Sequence, residues 1–277
     1  MKHRTLIVAS FMAAISLQAV SQEKFSLTYK PETGKSYRYR SENSYTATQE
    51  MMGSEMTVTG NSTSVVRYDI EKVSPEGVIT LLASMEEMTV HTNAMGMDTT
   101  ISQTDLAKNR VRQEISPNGE VISETKLDST SAKKGGLSSR ILGDNALTVL
   151  PANPVASGEK WTTSGTDSTD TEGSQTVTAY TARFELAGRE SRNGHDCLKV
   201  NYTKTFELTG KMNQMGMDMF LEGDGESTGT YWFDDALGLL ISDESTLRQD
   251  ITMALTGQAQ MTIPSSQVVT MKNTLVE

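Results

Sequence analysis

"LKVNYTKTFELT" at residues 198–209 is the stretch whose reading decides the fold. Leu198, Val200, Tyr202, Phe206 and Leu208 fall on one parity, broken only by Lys204. Lys199, Asn201, Thr203, Thr205, Glu207 and Thr209 fall on the other. Successive side chains of an extended chain point to opposite sides, so this run is a strand with one dry and one wet face. Val66, Tyr68 and Ile70 repeat the pattern earlier, and Tyr180, Ala182, Phe184 and Leu186 repeat it nearby. Ile251, Met253, Leu255, Ala259, Met261 and Ile263 read as one further run. Runs of this length exceed the usual five or six residues of about one strand in a compact sandwich. They predict a mainly β chain: two tandem antiparallel meanders forming a large curved sheet, a half-barrel or a barrel.

Turn chemistry separates the runs. "SPEG" (74–77), "SPNG" (116–119), "SRNG" (191–194) and "DALG" (235–238) share a terminal glycine, which predicts type I turns closed by a residue at positive φ. The chain also reads twice. "GKSY" (34–37) matches "GEKW" (158–161), and "RYDIEKVSPEG" (67–77) matches "RFELAGRESRNG" (183–194). "NAMGMD" (93–98) matches "NQMGMD" (213–218), and "EISPNGEVIS" (114–123) matches "WFDDALGLLIS" (232–242). Four matches in one order at nearly constant spacing point to an internal duplication. The expected organisation is a signal peptide at 1–21, a first β repeat at 22–127, a linker at 128–157 and a second repeat at 158–277. Within the linker, Leu137, Ile141, Leu142, Leu147 and Leu150 are spaced for one short crossover helix over 137–150, stopped by Pro151.

The N-terminal residues carry Lys2 and Arg4, then an apolar run from Leu6 to Leu17 and small residues at Ala19 and Ser21. That run is too short to span a bilayer and reads as a cleaved export signal. No Cys stands at the cleavage site to carry a lipid anchor. Removing it leaves 23 basic against 35 acidic side chains, a net charge of −12. An acidic surface excludes nucleic acid as a partner. Cys197 is the single cysteine, so no internal disulfide forms. The expected location is periplasmic or extracellular, with no transmembrane segment.

Eight of the 16 methionines lie in or beside three short glycine-containing segments: Met51, Met52, Met56, Met95, Met97, Met215, Met217 and Met219. In an up-and-down meander "SPEG" and "SPNG" share one end of the sheet, so the Met segments share the other. Three readings are open there: thioethers filling the open end of the core, an adaptable apolar rim for a lipid-like ligand or partner, or a soft-metal site. The candidate surface is therefore the eight methionines plus Tyr202, Phe206 and Leu208 on the dry face.

Catalytic chemistry is sparse. Only His91 and His195 remain after signal removal, no "GxSxG" elbow is present, and parity puts His91 on the wet face. His195 and Cys197 share a face beside the SRNG turn, at the end opposite the methionines. The expectation is no enzyme, no metal and no cofactor. The function expected is binding or scaffolding in the envelope, the partner being a hydrophobic small molecule, a lipid or an envelope protein. The alternatives are a purely structural β-protein with a packed core, and copper binding through the Met turns.

With these motifs together, the chain resembles an uncharacterised family of exported bacterial β-proteins. The resemblance rests on Gly34 to Tyr39 ("GKSYRY"), Met51 to Met56 ("MMGSEM"), the 137–150 segment and Pro151 to Trp161 ("PANPVASGEKW"). It covers nearly the whole mature chain and brings no catalytic residues with it. "YWFDDALGLLIS" (231–242) is also similar to a hairpin of the periplasmic lipoprotein-carrier fold, a half-barrel wrapped round helices, with Leu237 where that fold has Thr.

Overall fold

The computed structural model describes residues 23–51, 53–103, 110–127, 147–171, 174–214, 217–256 and 260–276. Among these the chain forms fourteen strands and no helix. The first part holds β1 (Lys24–Phe25), β2 (Ser36–Met51), β3 (Ser54–Val73), β4 (Ile79–Ala94), β5 (Met97–Gln103), β6 (Arg110–Ile115) and β7 (Val121–Lys126). The second holds β8 (Val155–Ala156), β9 (Lys160–Thr171), β10 (Ser174–Arg192), β11 (His195–Gln214), β12 (Met217–Asp234), β13 (Leu239–Thr256) and β14 (Met261–Leu275). The expected export signal lies outside the described residues, as do residues 137–146 of the expected helix. Its last residues, 147–150, are irregular rather than helical, because Leu150 gives its N–H to the carbonyl of Asn118 and buries its side chain.

Twelve strands make one antiparallel sheet in the order β7-β6-β4-β3-β2-β14-β13-β12-β11-β10-β9, with β5 also on β4; β1 and β8 form a small ladder of their own. The mainly β, antiparallel reading holds. The sheet is open: among the described residues nothing pairs β7 with β9, so a closed barrel is excluded as a hydrogen-bonded path. The run read as a single strand from Ile251 to Ile263 is a hairpin, β13 turning into β14. The matched motifs fall at matching places: the starts of β2 and β9, the ends of β3 and β10, the β4–β5 and β11–β12 tips, and the β6–β7 and β12–β13 turns. Among the described residues β14 has no counterpart in the first part.

The turns follow their glycines, with two differences: at "DALG" Gly238, at φ 66°, gives its N–H to Asp234 rather than to Asp235, so that loop is one residue wider. At "SPEG" and "SPNG", Gly77 and Gly119 sit at φ 86° and 92°, and each N–H returns to Ser74 or Ser116. "SRNG" is a two-residue turn instead, with both Asn193 and Gly194 at positive φ between the paired Arg192 and His195. Asn tolerates that conformation and its pairing with Gly favours the tighter turn.

Curvature comes from a plug. Tyr29 N–H bonds the carbonyl of Pro117 in the β6–β7 turn at 2.8 Å, and Lys30 N–H bonds that of Gly238 in the β12–β13 turn at 3.0 Å. Adjacent residues therefore tie together two turns that five strand spacings, about 24 Å, would separate in a flat sheet. The sheet is rolled until those turns stand within about 10 Å of each other. Tyr29 packs edge-on to Phe233 at 5.5 Å and gives its hydroxyl to Thr148 O. Around it Leu27, Ile79, Leu81, Met85, Ile115, Leu150, Leu186, Leu198, Tyr231 and Leu240 are buried. A gap among Tyr29, Tyr39, Tyr68 and Leu81 is about 30 Å³, roughly one water. The turn end of the roll is thus a packed core, and the other end is not plugged by any described element.

Candidate functional site: the inner face towards the methionine end

Beyond the plug, parity still separates the faces. In β14, Met261, Ile263, Ser265, Gln267 and Val269 are half-buried, while Thr262, Pro264, Ser266, Val268 and Thr270 are exposed. Ser265 and Ser266 differ in burial although they are the same residue type, so curvature rather than side-chain size shields the inner face. The outer face carries the charge: Glu42, Lys272, Glu244, Arg248, Glu226 and Glu207 all point outward by register.

The inner face is graded along the strands. Next to the plug it is polar, with Ser41, Asn43, Ser62, Ser64, Asn273 and Ser245 in neighbouring positions. Towards the methionine end of β11–β14 it turns apolar. One cross-strand row reads Met212, Met219, Leu255, Met261, and the row beside it reads Gly210, Leu221, Met253, Ile263. Met219 is 8% exposed, and the other described side chains of these rows are half-buried. No other described element is paired or packed over them.

Level with the polar zone, on the β9–β12 side of the same cross-strand rows, lies an aromatic belt. Trp161 stacks on Phe184 at 5.3 Å, Phe184 meets Tyr202 at 6.0 Å, and Tyr202 meets Tyr231 at 6.3 Å. Several rings lie across glycines of the neighbouring strand: Tyr202 over Gly229, Phe206 over Gly225, Tyr180 over Gly165 and Tyr45 over Gly60. Tyr202 and Thr148 each give a hydroxyl hydrogen bond to the Asp243 carboxylate at 3.0 Å. Burial pushes that carboxyl above its ordinary range, against the pull of those two donors, and neighbouring Glu244 adds to the rise. Tyr231, beside it, has a buried hydroxyl with no partner. Lys204 reaches over the Tyr180 ring at 4.2 Å.

The predicted surface residues do not gather at one place. Tyr202 belongs to the belt, and Phe206, Leu208 and Met219 to the inner face of β11 and β12. Met56 is half-buried on the inner side of β3. Met95 and Met97, at the β4–β5 tip, are 76% and 67% exposed, and Met95 has φ 52°. Met52 and Met215 lie outside the described residues, as do the side chains of Met51 and Met217. Met212, Leu221, Met253, Leu255, Met261 and Ile263, which complete the apolar rows, were visible in the sequence only as alternation. Their convergence needed the β11–β14 register.

Elsewhere the chemistry is structural. His195 Nδ1 lies 3.0 Å from Asp234 Oδ2, whose other oxygen accepts the N–H groups of Ala236 and Leu237 in the turn. Cys197 is fully buried beside Trp232, Leu239 and Ile241, and burial pushes its thiol up to about 11, with Asp234 and Asp196 adding to the rise. A protonated, inaccessible thiol is no nucleophile. His91 contacts Thr100 on the outer side. Among the described residues no group of three or more His, Cys, Asp or Glu is placed to hold a metal ion. A shallow groove of about 840 Å³ crosses β3 to β11, lined by outward Ser44, Thr246, Thr270, Glu42 and Lys272 and also by inward Asn43, Ser62, Tyr202 and Met271. Its Ser44 and Thr270 hydroxyls bond each other, leaving a wet polar valley.

No family model matches the chain, and no curated protein matches it. Among solved structures it is similar to an outer membrane channel from Pseudomonas putida F1, at 8% identity and a TM-score of 0.27 over 89% of this chain and 97% of that one. OccK2 (OpdF) of Pseudomonas aeruginosa, in complex with glucuronate, matches at 6% identity and 0.26, over 90% of this chain and 100% of that one. OccK5 (OpdH) of the same species matches at 6% and 0.27, over 90% and 100%. Scores this low carry none of the channels' properties over to this chain, and the family resemblance rests on its motifs alone.

Proposed function

We propose that the protein is an exported, non-enzymatic binding protein of the bacterial envelope that takes an aliphatic ligand against the inner face of β11–β14. The observation that carries this reading is the pair of cross-strand apolar rows through Met219–Leu255 and Leu221–Met253, with no described element laid over them. A contiguous apolar surface of this kind on a soluble chain ordinarily marks a binding site. Two further features support it. A membrane-spanning barrel presents an apolar band outward and a polar lumen; here the outward positions carry Glu, Asp, Lys, Arg and Thr, which suits an outer wall in water. Met95 is exposed and held in a left-handed conformation that costs an ordinary side chain about 1–2 kcal/mol, so neither packing nor backbone preference explains a methionine there. The matching motifs at matching hairpins support an origin by tandem copying.

The mature protein titrated with the neutral probe N-phenyl-1-naphthylamine is expected to show saturable fluorescence enhancement. Leu221→Glu and Met253→Glu should each abolish it while leaving the thermal midpoint close to native, and His195→Ala should not alter it. No uptake by the native protein, together with no lipid in its solvent extract, would leave a purely structural role in place of binding.

A further inference from the structure

Lys204 is the feature of the inner face that an aliphatic ligand alone does not explain. Between the plug and the methionine end, the inward positions of β2, β3, β4, β10, β11, β12, β13 and β14 carry two ionisable charges, Lys204 and Asp243. Asp243 is engaged by Tyr202 and Thr148 at the plug. Lys204 contacts the Tyr180 ring and, among the described residues, forms no ion pair. Asp167, at an inward position of β9, and Glu120 of the β6–β7 turn act on the Tyr180 phenol, and neither forms an ion pair with Lys204. A half-buried ammonium held over a ring face presents its charge to an anionic group that reaches it.

Position supplies the rest. From Lys204 the inner side of β11 continues through Phe206, Leu208, Gly210 and Met212 to the open end. That is eight residues, about 26 Å of strand, flanked by the apolar rows of β12–β14. The polarity therefore runs in one direction, from a single cation beside the aromatic belt to thioethers at the rim. We propose that the ligand is a single-chain amphiphile with a carboxylate head, bound with its head at Lys204 and its alkyl chain along β11–β14 towards the methionine end. One ammonium matches one negative charge, and among the described inward positions of β2–β4 and β10–β14 no second cation stands by for the dianion of a phosphate monoester. The orientation is head-inward, with the tail nearest the opening. This assignment rests on the aliphatic-binding reading and adds the head group to it.

Three amphiphiles with the same twelve-carbon chain separate the two: dodecanoate, dodecyl maltoside and dodecyltrimethylammonium, each titrated calorimetrically below its micellar concentration. The native protein should bind dodecanoate about tenfold more tightly than either of the others. Lys204→Met should erase that preference while keeping the weaker binding common to all three, and Lys204→Arg should retain it. Equal affinity for the three in the native protein, or a preference surviving in Lys204→Met, overturns the head-group assignment and leaves the aliphatic site standing. Failure of all three to bind removes the aliphatic site itself.

Discussion

Asp243 shows how far one side chain's protonation reaches. Its carboxyl joins a strand of the sheet (β13) to the plug through Thr148 and to the aromatic belt through Tyr202, with the unpartnered Tyr231 hydroxyl close by. Because its pKa is raised in the folded protein, the fold binds this proton more tightly than the unfolded chain does. The contribution is complete below the ordinary aspartate value of about 4 and is lost as pH rises through the folded value. Asp243→Asn keeps an acceptor for Tyr202 and removes the charge. Its unfolding free energy should exceed that of the native protein by about 1 kcal/mol at pH 8 and converge with it near pH 4, as read by urea melts across that range. A variant that is less stable at every pH would show the carboxylate to be wanted in its charged form. The same scale holds what sequence could not supply: Asp243 looks like one acid among several in "SDES", and although it shares the parity of Ile251, Met253 and Leu255, its meeting with Tyr202 and Thr148 depends on register.

Among elements, β12 carries the clearest device. Its inward positions at 223, 225 and 229 are glycines, and rings from β11 lie over the last two of them. A Cβ on Gly229 would stand 2.5 Å from Tyr202 Cζ and 2.8 Å from the carbonyl of Glu244. Replacing a strand glycine by alanine ordinarily stabilises by about 0.5–1 kcal/mol. Gly229→Ala should reverse that sign, costing about 2 kcal/mol in a chemical melt through overpacking and displacing Tyr202 from Asp243. The strands themselves were legible because period two survives along each run and glycine marks each turn. The Ile251–Ile263 run misled for a physical reason: Met253 pairs with Ile263 on the same face, both at odd positions, so a hairpin keeps the parity of one strand. The 137–150 leucines carried helical spacing, but the described end of that segment spends its backbone bonds on the β6–β7 turn.

For the whole molecule, the plug holds the roll. Tyr29 touches the β6–β7 turn, Thr148 and Phe233 together, so removing its ring leaves a cavity where three parts of the chain meet. Tyr29→Ala should cost about 4 kcal/mol in a urea melt, in the range for a buried aromatic. A loss below about 1 kcal/mol would mean that the sheet curves without the plug. The local pattern announces burial but not this role: Phe25, Leu27 and Tyr29 alternate with Ser26, Thr28 and Lys30, and what they tie together depends on turns distant in sequence. The seam between the two meanders has a consequence of another kind. β14 lies between β2 and β13, and its Thr270 meets Ser44 across 226 positions. Hairpins can form as soon as their own residues emerge, whereas β2 waits with one flank bare until β14, more than 200 residues later, arrives. Two chains delivered side by side can therefore trade this strand, and the exchange is the misassembly that such a wiring invites.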